Sequence, residues 1–335
     1  NRVVVPPMCQ YSAVDGMAND WHLVHYGSLA AGGAGAVILE ATAISPEGRI
    51  TPYDLGLWND VQADKLARIL GFIASQGAVP AVQIAHAGRK ACTDRPWLGG
   101  KPLNNWSPIY APSAIAFDEK SQIPKELSVS QIHELTEKFA ESANRAVRAG
   151  AAIVELHAAH GYLLSEFLSP LSNRREDEYG STFENRCRFL IETVQAIQST
   201  VGSSVPLAVR ISATDWIDEG FTPEESVMLS VQLKSMDVAL IDVSTSGVVP
   251  YAKIPAGPGF QVPFAEKIRK EADMTVSAVG LITNCWSAEQ IVKKGQADIV
   301  MIGRAHLKNH QWTIHAAKEL GVEAPVPLQY LRGYR

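Results

Sequence analysis

The chain has 335 residues, of which 46% are hydrophobic and 19% are charged, which predicts a globular protein of one or two domains and excludes a disordered chain. The formal net charge is -5, and the longest nearly unbroken apolar stretch, 29–39, is shorter than the ~20 residues that cross a bilayer. We therefore expect neither a nucleic-acid partner nor a membrane partner.

The four cysteines lie far apart, at positions 9, 92, 187 and 285, and form no C-x-x-C pair. This spacing argues against a zinc knuckle, a disulfide framework and an iron–sulfur cluster, and it favours a cytoplasmic location. The chain opens at Asn1 with no basic segment ahead of a hydrophobic one, so no targeting signal is expected.

Short β-branched apolar runs recur along the chain, each followed by a longer amphipathic stretch, which is typical of β–α units. The predicted strands are 2–8, 35–44, 79–86, 151–159, 206–213, 238–246, 275–280 and 297–305. The predicted helices are 20–31, 61–75, 128–149, 183–201, one that opens at Thr222, 263–272, 286–294 and 309–320. Ser128 and Thr222 are candidate helix caps.

This alternation predicts the α/β class and a (β/α)8 TIM barrel. A doubly wound open sheet is the competing fold, but it needs a glycine-rich turn after its first strand, and residues 6–11 contain no glycine. We expect a single barrel domain over 1–335, with a tail at about 321–335 and a proline-rich insertion at about 92–127. The insertion is either a lid over the barrel mouth or a surface loop without a catalytic role.

In a TIM barrel the chemistry lies at the C-terminal ends of the strands. The polar residues at the predicted ends are Cys9, Tyr11, Glu40, Thr42, Gln83, His86, His157, His160, Tyr162, Arg210, Asp242, Ser244 and Arg304. This set is rich in hydrogen-bond donors and poor in free carboxylates, which disfavours glycoside hydrolysis and a magnesium or calcium site.

The pair His157 and His160 has three interpretations. It could bind zinc, although no third ligand is evident nearby, or the two rings could be ordinary core histidines. We favour a pair of nitrogen donors that converge on one oxygen atom and withdraw electrons from a conjugated carbonyl group.

Other residues at the strand ends indicate a bound cofactor. Gly280 and the pair Gly303 and Arg304 either form a phosphate site or permit tight turns. Arg210 lies in an apolar strand and needs an anionic or carbonyl partner, which could also be a barrel carboxylate. No histidine in its local motif activates Cys9, so contact with a cofactor ring is favoured over a nucleophilic role.

Ordered motifs along essentially the whole chain resemble the old yellow enzyme family of flavin-dependent ene-reductases. They are 7–11 (PMCQY), 40–43 (EATA), 46–49 (PEGR), 83–90 (QIAHAGRK), 111–117 (APSAIAF), 157–162 (HAAHGY), 166–173 (EFLSPLSN), 177–180 (DEYG), 184–186 (ENR) and 302–304 (IGR). Cys9 and the segment 329–334 (QYLRGY) resemble the thermophilic-like subclass.

The resemblance implies FMN across the barrel mouth. Its phosphate would lie at Gly280, Gly303 and Arg304, and Arg210 would face the N1/C2 carbonyl edge of the flavin. The other residues implied to contact the cofactor are Pro7, Met8, Cys9, Ala41, Gln83 and Ser244.

The resemblance also implies a ping-pong reaction in which NAD(P)H reduces FMN and an activated alkene, with a carbonyl or nitro group, takes hydride from flavin N5. His157 and His160 would hold the substrate oxygen, Tyr11 would flank it, and Tyr162 would donate the proton. Cys9 would touch the substrate and tune the flavin potential.

A C-terminal arginine, here Arg332, reaches the neighbouring subunit's site in the subclass, which implies a homodimer or homotetramer. The family normally carries more than a dozen residues before Asn1, so we expect a barrel cap to be missing. The alternatives are a 2,4-dienoyl-CoA reductase branch, which the scattered cysteines disfavour, a flavin-binding barrel without turnover, and a metal-dependent hydrolase.

Overall fold

The computed structural model describes residues 1–202 and 205–334, and eight parallel strands in this part of the chain close into a barrel. The barrel strands, first to eighth, are Val3–Val5, Ala36–Ala43, Val79–Ala85, Ile153–Ala158, Leu207–Ser212, Leu240–Ser244, Val276–Ala278 and Ile299–Met301. The first strand pairs with the eighth, which closes the ring. The predicted (β/α)8 fold is confirmed.

Ten α-helices are found in the described residues. Their bounds are Asp20–Ala31, Asp60–Ser75, Val129–Arg148, Leu163–Leu168, Phe183–Val201, Pro223–Ser235, Val262–Glu271, Cys285–Lys293, Arg304–Lys308 and Trp312–Glu319. Both expected caps are present, because Ser128 accepts the Gln131 N–H and Thr222 accepts the Glu225 N–H.

The prediction was wrong at several element ends. The first strand stops at Val5 instead of residue 8, because Pro6 and Pro7 have no N–H to donate to the ladder. The eighth strand is Ile299–Met301, and the residues assigned to its end instead begin the helix Arg304–Lys308. That helix and Leu163–Leu168 are too short to show a helical period, so the sequence missed both.

The barrel interior changes from apolar to polar along the strand direction. A small buried cluster that includes Val4, Ile38, Ala81 and Met301 lies inside one end of the barrel. The third strand contributes Ala81 to this cluster. Gln83, two residues further along the strand and on the same face, is polar. The polar end is where the site lies, and the larger apolar core lies between the barrel and its helices.

The insertion between the third strand and Val129–Arg148 is anchored against the barrel. It contains two short paired strands, Tyr110–Ala111 and Lys125–Glu126. Arg175 Nη1 donates to Leu127 O at 2.6 Å, and Arg89 Nη1 donates to Ile115 O at 3.2 Å.

The division into one domain, an insertion and a tail stays a prediction. None of the described helices is long and apolar enough to cross a membrane.

Candidate active site

The end of the fourth strand and the loop after it bring three predicted site residues together. The ring centroids of His157 and His160 lie 5.2 Å apart at 82°, and those of His157 and Tyr162 lie 5.1 Å apart at 69°. His160 takes a positive φ of 60°, which is uncommon for a residue with a side chain. Its N–H donates to Ser212 Oγ at 2.8 Å, so the fifth strand holds this turn in place.

Both histidines are held in the neutral form. Burial lowers the pKa of each ring well below its usual value, and the positive charge of Arg210 lowers it further. His160 Nε2 lies 2.7 Å from Ser244 Oγ, and if the hydroxyl donates to Nε2, then Nδ1 of His160 carries the proton. His157 Nδ1 is buried without a partner among the described residues, which is the state expected of a nitrogen that bonds a ligand or water.

Cys9 and Tyr11 lie in the turn after the first strand, where a buried carboxyl group fixes the backbone. Glu40 Oε2 accepts the Gln10 N–H at 2.8 Å, and Glu40 Oε1 accepts the Tyr26 hydroxyl at 2.8 Å. The thiol of Cys9 contacts the Ala41 N–H and the Tyr11 side chain. Burial raises the pKa of Cys9, so the thiol stays protonated and is a poor nucleophile.

A cavity of about 390 Å³ opens at the ends of the fifth to eighth strands. Among the residues that line it are His160 and half of the residues predicted to hold the cofactor, namely Arg210, Ser244, Gly280, Gly303 and Arg304. Gly280 has a φ of +123°, a conformation open to glycine, and Met8 approaches Gly303. The volume lies within the ~300 to 1,000 Å³ range of small-molecule sites.

The donor set of this cavity fits FMN. Arg210 is almost fully buried, and its Nε lies 2.9 Å from Asp242 Oδ2 without aligned hydrogen-bond geometry. Its guanidinium therefore has both the carboxylate partner considered from the sequence and donors left for a carbonyl or anionic group in the cavity. The backbone at Gly280 and Gly303 and the exposed Arg304 supply the kinds of groups that bind phosphate.

Several predicted residues lie outside this cavity. Gln83 Nε2 donates to Glu155 Oε1 at 2.8 Å inside the barrel. Glu155 lies on the fourth strand, two residues before His157, so Gln83 is one layer deeper in the barrel than His157. Pro7 and Ala41 also lie outside its lining. Arg332 lies in the exposed turn Leu328–Gly333 and does not line the cavity of its own chain. Their assigned roles stay predictions.

Two further residues lie at the site that were not predicted from the sequence to have a role there. Gln261 lines the cavity and accepts the Thr245 hydroxyl at 2.7 Å, and Lys90 reaches the loop that carries the histidines. Lys90 is part of the motif 83–90, so its polar side chain just after an apolar strand was an available signal. Gln261 lies in a long connection whose path local sequence patterns do not define.

Left-handed backbone conformations gather at the mouth of the barrel. Non-glycine residues with a positive φ lie in the connections after six of the strands, and among them are Tyr11, Cys92, His160, Trp216, Ser246 and Leu281. Such conformations cost on the order of 1 to 3 kcal/mol each and persist where the surroundings determine them.

No group of three metal-ligating side chains is found in 1–202 and 205–334, so the zinc interpretation gains no third ligand.

A (β/α)8 barrel with this cavity and donor set fits the class of FMN-dependent oxidoreductases. The family model described as NADH:flavin oxidoreductase / NADH oxidase matches residues 1–323. The chain belongs to this family, and the resemblance to old yellow enzymes is confirmed.

Curated relatives match along the entire chain. This chain is 46% identical over 337 residues to NADPH dehydrogenase of Geobacillus thermodenitrificans (strain NG80-2), and the match covers 100% of this chain and 95% of the relative. It is 44% identical over 336 residues to NADPH dehydrogenase of Bacillus subtilis (strain 168), with the same coverage of 100% and 95%. The solved structure of morphinone reductase is similar at a TM-score of 0.79 and 25% identity, covering 97% of this chain and 87% of that one.

Proposed function

We propose that this flavin oxidoreductase reduces the C=C bond of activated alkenes by a ping-pong mechanism with NAD(P)H as reductant. The substrates are α,β-unsaturated carbonyl compounds, with nitro compounds as a second type. The observation that carries the proposal is the pair of neutral histidines beside Tyr162, of which His157 is buried and His160 half-buried, with an unpartnered ring nitrogen on His157. The NADPH dehydrogenase relatives support the nicotinamide reductant.

The histidine pair suits the substrate oxygen. A neutral imidazole donates one N–H, so two rings supply two hydrogen bonds to a carbonyl or nitro oxygen. These bonds strengthen as negative charge develops on that oxygen, which makes the β-carbon electrophilic. The low pKa values of both rings keep them neutral at physiological pH.

Tyr162 suits the role of proton donor. Its phenol is partly buried next to His157, and burial raises its pKa, so the hydroxyl is protonated at neutral pH. The chemistry that FMN supplies when bound is hydride transfer, from NAD(P)H in the first half-reaction and to the β-carbon in the second. Tyr162 then gives a proton to the α-carbon and regains one from solvent.

The test uses the FMN-loaded enzyme without oxygen. NADPH or NADH should bleach the flavin absorbance, and a cyclic enone should restore it with formation of the saturated ketone. His157→Ala and His160→Ala should slow the reoxidation by the enone about 10² to 10³-fold while bleaching changes far less, because a lost oxyanion donor costs that much. Flavin that bleaches but is never reoxidised by an enone, a maleimide or a nitroalkene would contradict alkene reduction and indicate a different acceptor.

We also propose that Arg332 completes the site of a second copy of this chain in a homodimer or homotetramer. The turn Leu328–Gly333 exposes Leu328, Tyr330 and Leu331, with Leu328 81% exposed, so the tail presents an apolar surface around the arginine. Arg332→Ala should raise the KM for the enone and leave bleaching by NADPH unchanged. A wild-type chain that stays monomeric at micromolar concentration would refute the proposal.

A further inference from the structure

The ammonium of Lys90 lies where three parts of the barrel mouth meet. Lys90 follows the third strand, and its Nζ donates to His160 O at 2.8 Å and to Gly247 O at 3.2 Å. These carbonyl groups belong to the loops after the fourth and the sixth strand. One side chain therefore joins three loops that carry or border the site.

Aromatic rings surround the same ammonium. Nζ lies 4.8 Å from the centroid of the Tyr162 ring and 4.9 Å from that of Phe117, which belongs to the insertion. The face of an aromatic ring attracts a cation by about 0.5 to 2 kcal/mol, depending on exposure. No carboxylate lies within ion-pair distance of Lys90 in the described part of the chain. Its charge is thus held by two carbonyl groups and two ring faces.

The two loops that Lys90 joins touch through their backbones. A Cβ atom added to Gly161 would lie 2.1 Å from Gly247 O, and one added to Gly247 would lie 2.4 Å from the carbonyl carbon of His160. Two carbonyl oxygens that both point at one place repel each other unless a cation or donor lies between them. The Lys90 ammonium occupies that position, directly beside the left-handed turn of His160.

We propose that Lys90 is a positioning residue for alkene reduction: it clamps the carbonyl groups of His160 and Gly247 and thereby fixes the His160 and Tyr162 rings against the substrate. This inference rests on the proposed function. A misplacement of about 1 Å in such a site costs on the order of 10²-fold in rate. Lys90 therefore acts on the enone half-reaction, in which these two rings take part.

The groups that face Lys90 give the clamp a dependence on pH. Burial lowers the pKa of Lys90 to about 8, the charge of Arg89 lowers it further, and the carboxyl of Glu166 opposes both. The other titratable groups that face the ammonium are His157 and His160, whose rings are neutral, and Tyr162, which is protonated near neutral pH. Above about pH 8 the ammonium loses its charge and the enone half-reaction should slow.

The experiment compares Lys90→Met, Lys90→Arg and the control Lys234→Met in the FMN-loaded enzyme. Lys234 also donates to a backbone carbonyl, Asp273 O, at 2.6 Å, but it lies at the exposed end of a distant helix. Stopped-flow absorbance gives the rates of bleaching by NADPH and of reoxidation by 2-cyclohexenone from pH 6 to pH 10. Tm and the Kd for FMN report on the fold and the cofactor site.

We expect Lys90→Met to slow reoxidation at least tenfold, with bleaching, the Kd for FMN and the control within twofold of the wild type. Lys90→Arg should recover most of the rate and remove the decline above about pH 8, which also tests the proposal if Lys90→Met does not fold. Equal losses in both half-reactions and in FMN affinity, or a decline above pH 8 that persists in Lys90→Arg, would overturn it. A wild-type enzyme that no enone reoxidises would instead refute the proposed function.

Discussion

The state of single side chains at the mouth depends on burial more than on their neighbours in sequence. Desolvation is the largest influence on the pKa of Cys9, His157, His160 and Tyr162, and in each case it favours the neutral form. A neutral thiol, two neutral imidazoles and a protonated phenol are suited to hydrogen bonding and proton donation. They are poorly suited to nucleophilic attack, which argues against a cysteine hydrolase.

Tyr162→Phe tests the proton donor. The variant keeps the ring beside His157 and removes the hydroxyl, so reoxidation of the reduced flavin by an enone should slow about 10² to 10⁴-fold, the usual contribution of a general acid. Bleaching by NADPH should stay within a few-fold of the wild type. Tyr251→Phe, at a tyrosine that is 64% exposed, is the matched control. If both half-reactions of Tyr162→Phe match the control, the α-carbon proton comes from another group.

Secondary-structure elements contribute to the site both through the last residues of the strands and through the loops that follow them. The fourth strand pairs His157 with Arg210 of the fifth, and Arg210 pairs with Asp242 of the sixth. The parallel register thus places the cation of the cavity next to the histidine pair and next to a buried carboxyl group. A one-residue slip in any of these strands would turn the side chain to the other face.

Gly161→Ala tests the close approach of two loops. Gly161 has a φ of +68°, and an added Cβ would lie 2.1 Å from Gly247 O, so the loops must separate. We expect a loss of stability of about 1 to 3 kcal/mol and a slower enone half-reaction.

Gly77→Ala is the control, because Gly77 has a similar φ of +80° but nothing within 4 Å of the added Cβ. Its free energy of unfolding should fall by only about 1 kcal/mol, which is the cost of placing a side chain in the left-handed region. Urea unfolding and stopped-flow rates measure both effects. If the two variants lose equal stability and have equal rates in the enone half-reaction, the contact between the loops contributes to neither.

Buried titratable groups throughout the protein make its stability depend on pH, and the carboxyl groups and the histidines act in opposite directions. Burial raises the pKa of Glu40 and of Glu166 to about 8, so the folded chain keeps protons that the unfolded chain releases from about pH 4.5 upward. Burial lowers the pKa of His22 and of His306 to about 4, so the unfolded chain gains protons first as pH falls below about 6.5.

The two effects oppose each other between about pH 4.5 and pH 6.5, so the free energy of unfolding should change little there and fall above about pH 6.5, where the carboxyl groups act alone, and below about pH 4.5, where the histidines act alone. The alkaline decline ends as pH passes the folded-state pKa of about 8, because both states are then ionised. Glu40→Gln, which keeps an acceptor for the Gln10 N–H, should make the alkaline decline shallower by up to about 1.4 kcal/mol per pH unit. Urea unfolding at several pH values checks this, and a slope unchanged in the variant would contradict it.

Much of the architecture was determined by local sequence patterns. Apolar strand runs, amphipathic helices and capping residues such as Ser128 act over a few residues, so their period and chemistry predict the β–α units and hence the closed barrel. The ordered motifs identified the family and the residues around the mouth. Element ends were less well determined, as at Pro6 and Arg304, because ladder hydrogen bonds stop for reasons that hydrophobicity does not report.

Contacts between residues that are distant in sequence depend on the folded chain, and local patterns do not predict them. His160 contacts Ser244, 84 residues away, Gln83 bonds Glu155, 72 residues away, and Lys90 bonds the carbonyl of His160, 70 residues away. Closure of the barrel brings the C-terminal ends of the strands into one ring, and strand register then selects the contacts. The neutral histidines, the buried carboxyl groups and the clamped loops arise from that closure, because burial and contact are properties of the folded chain.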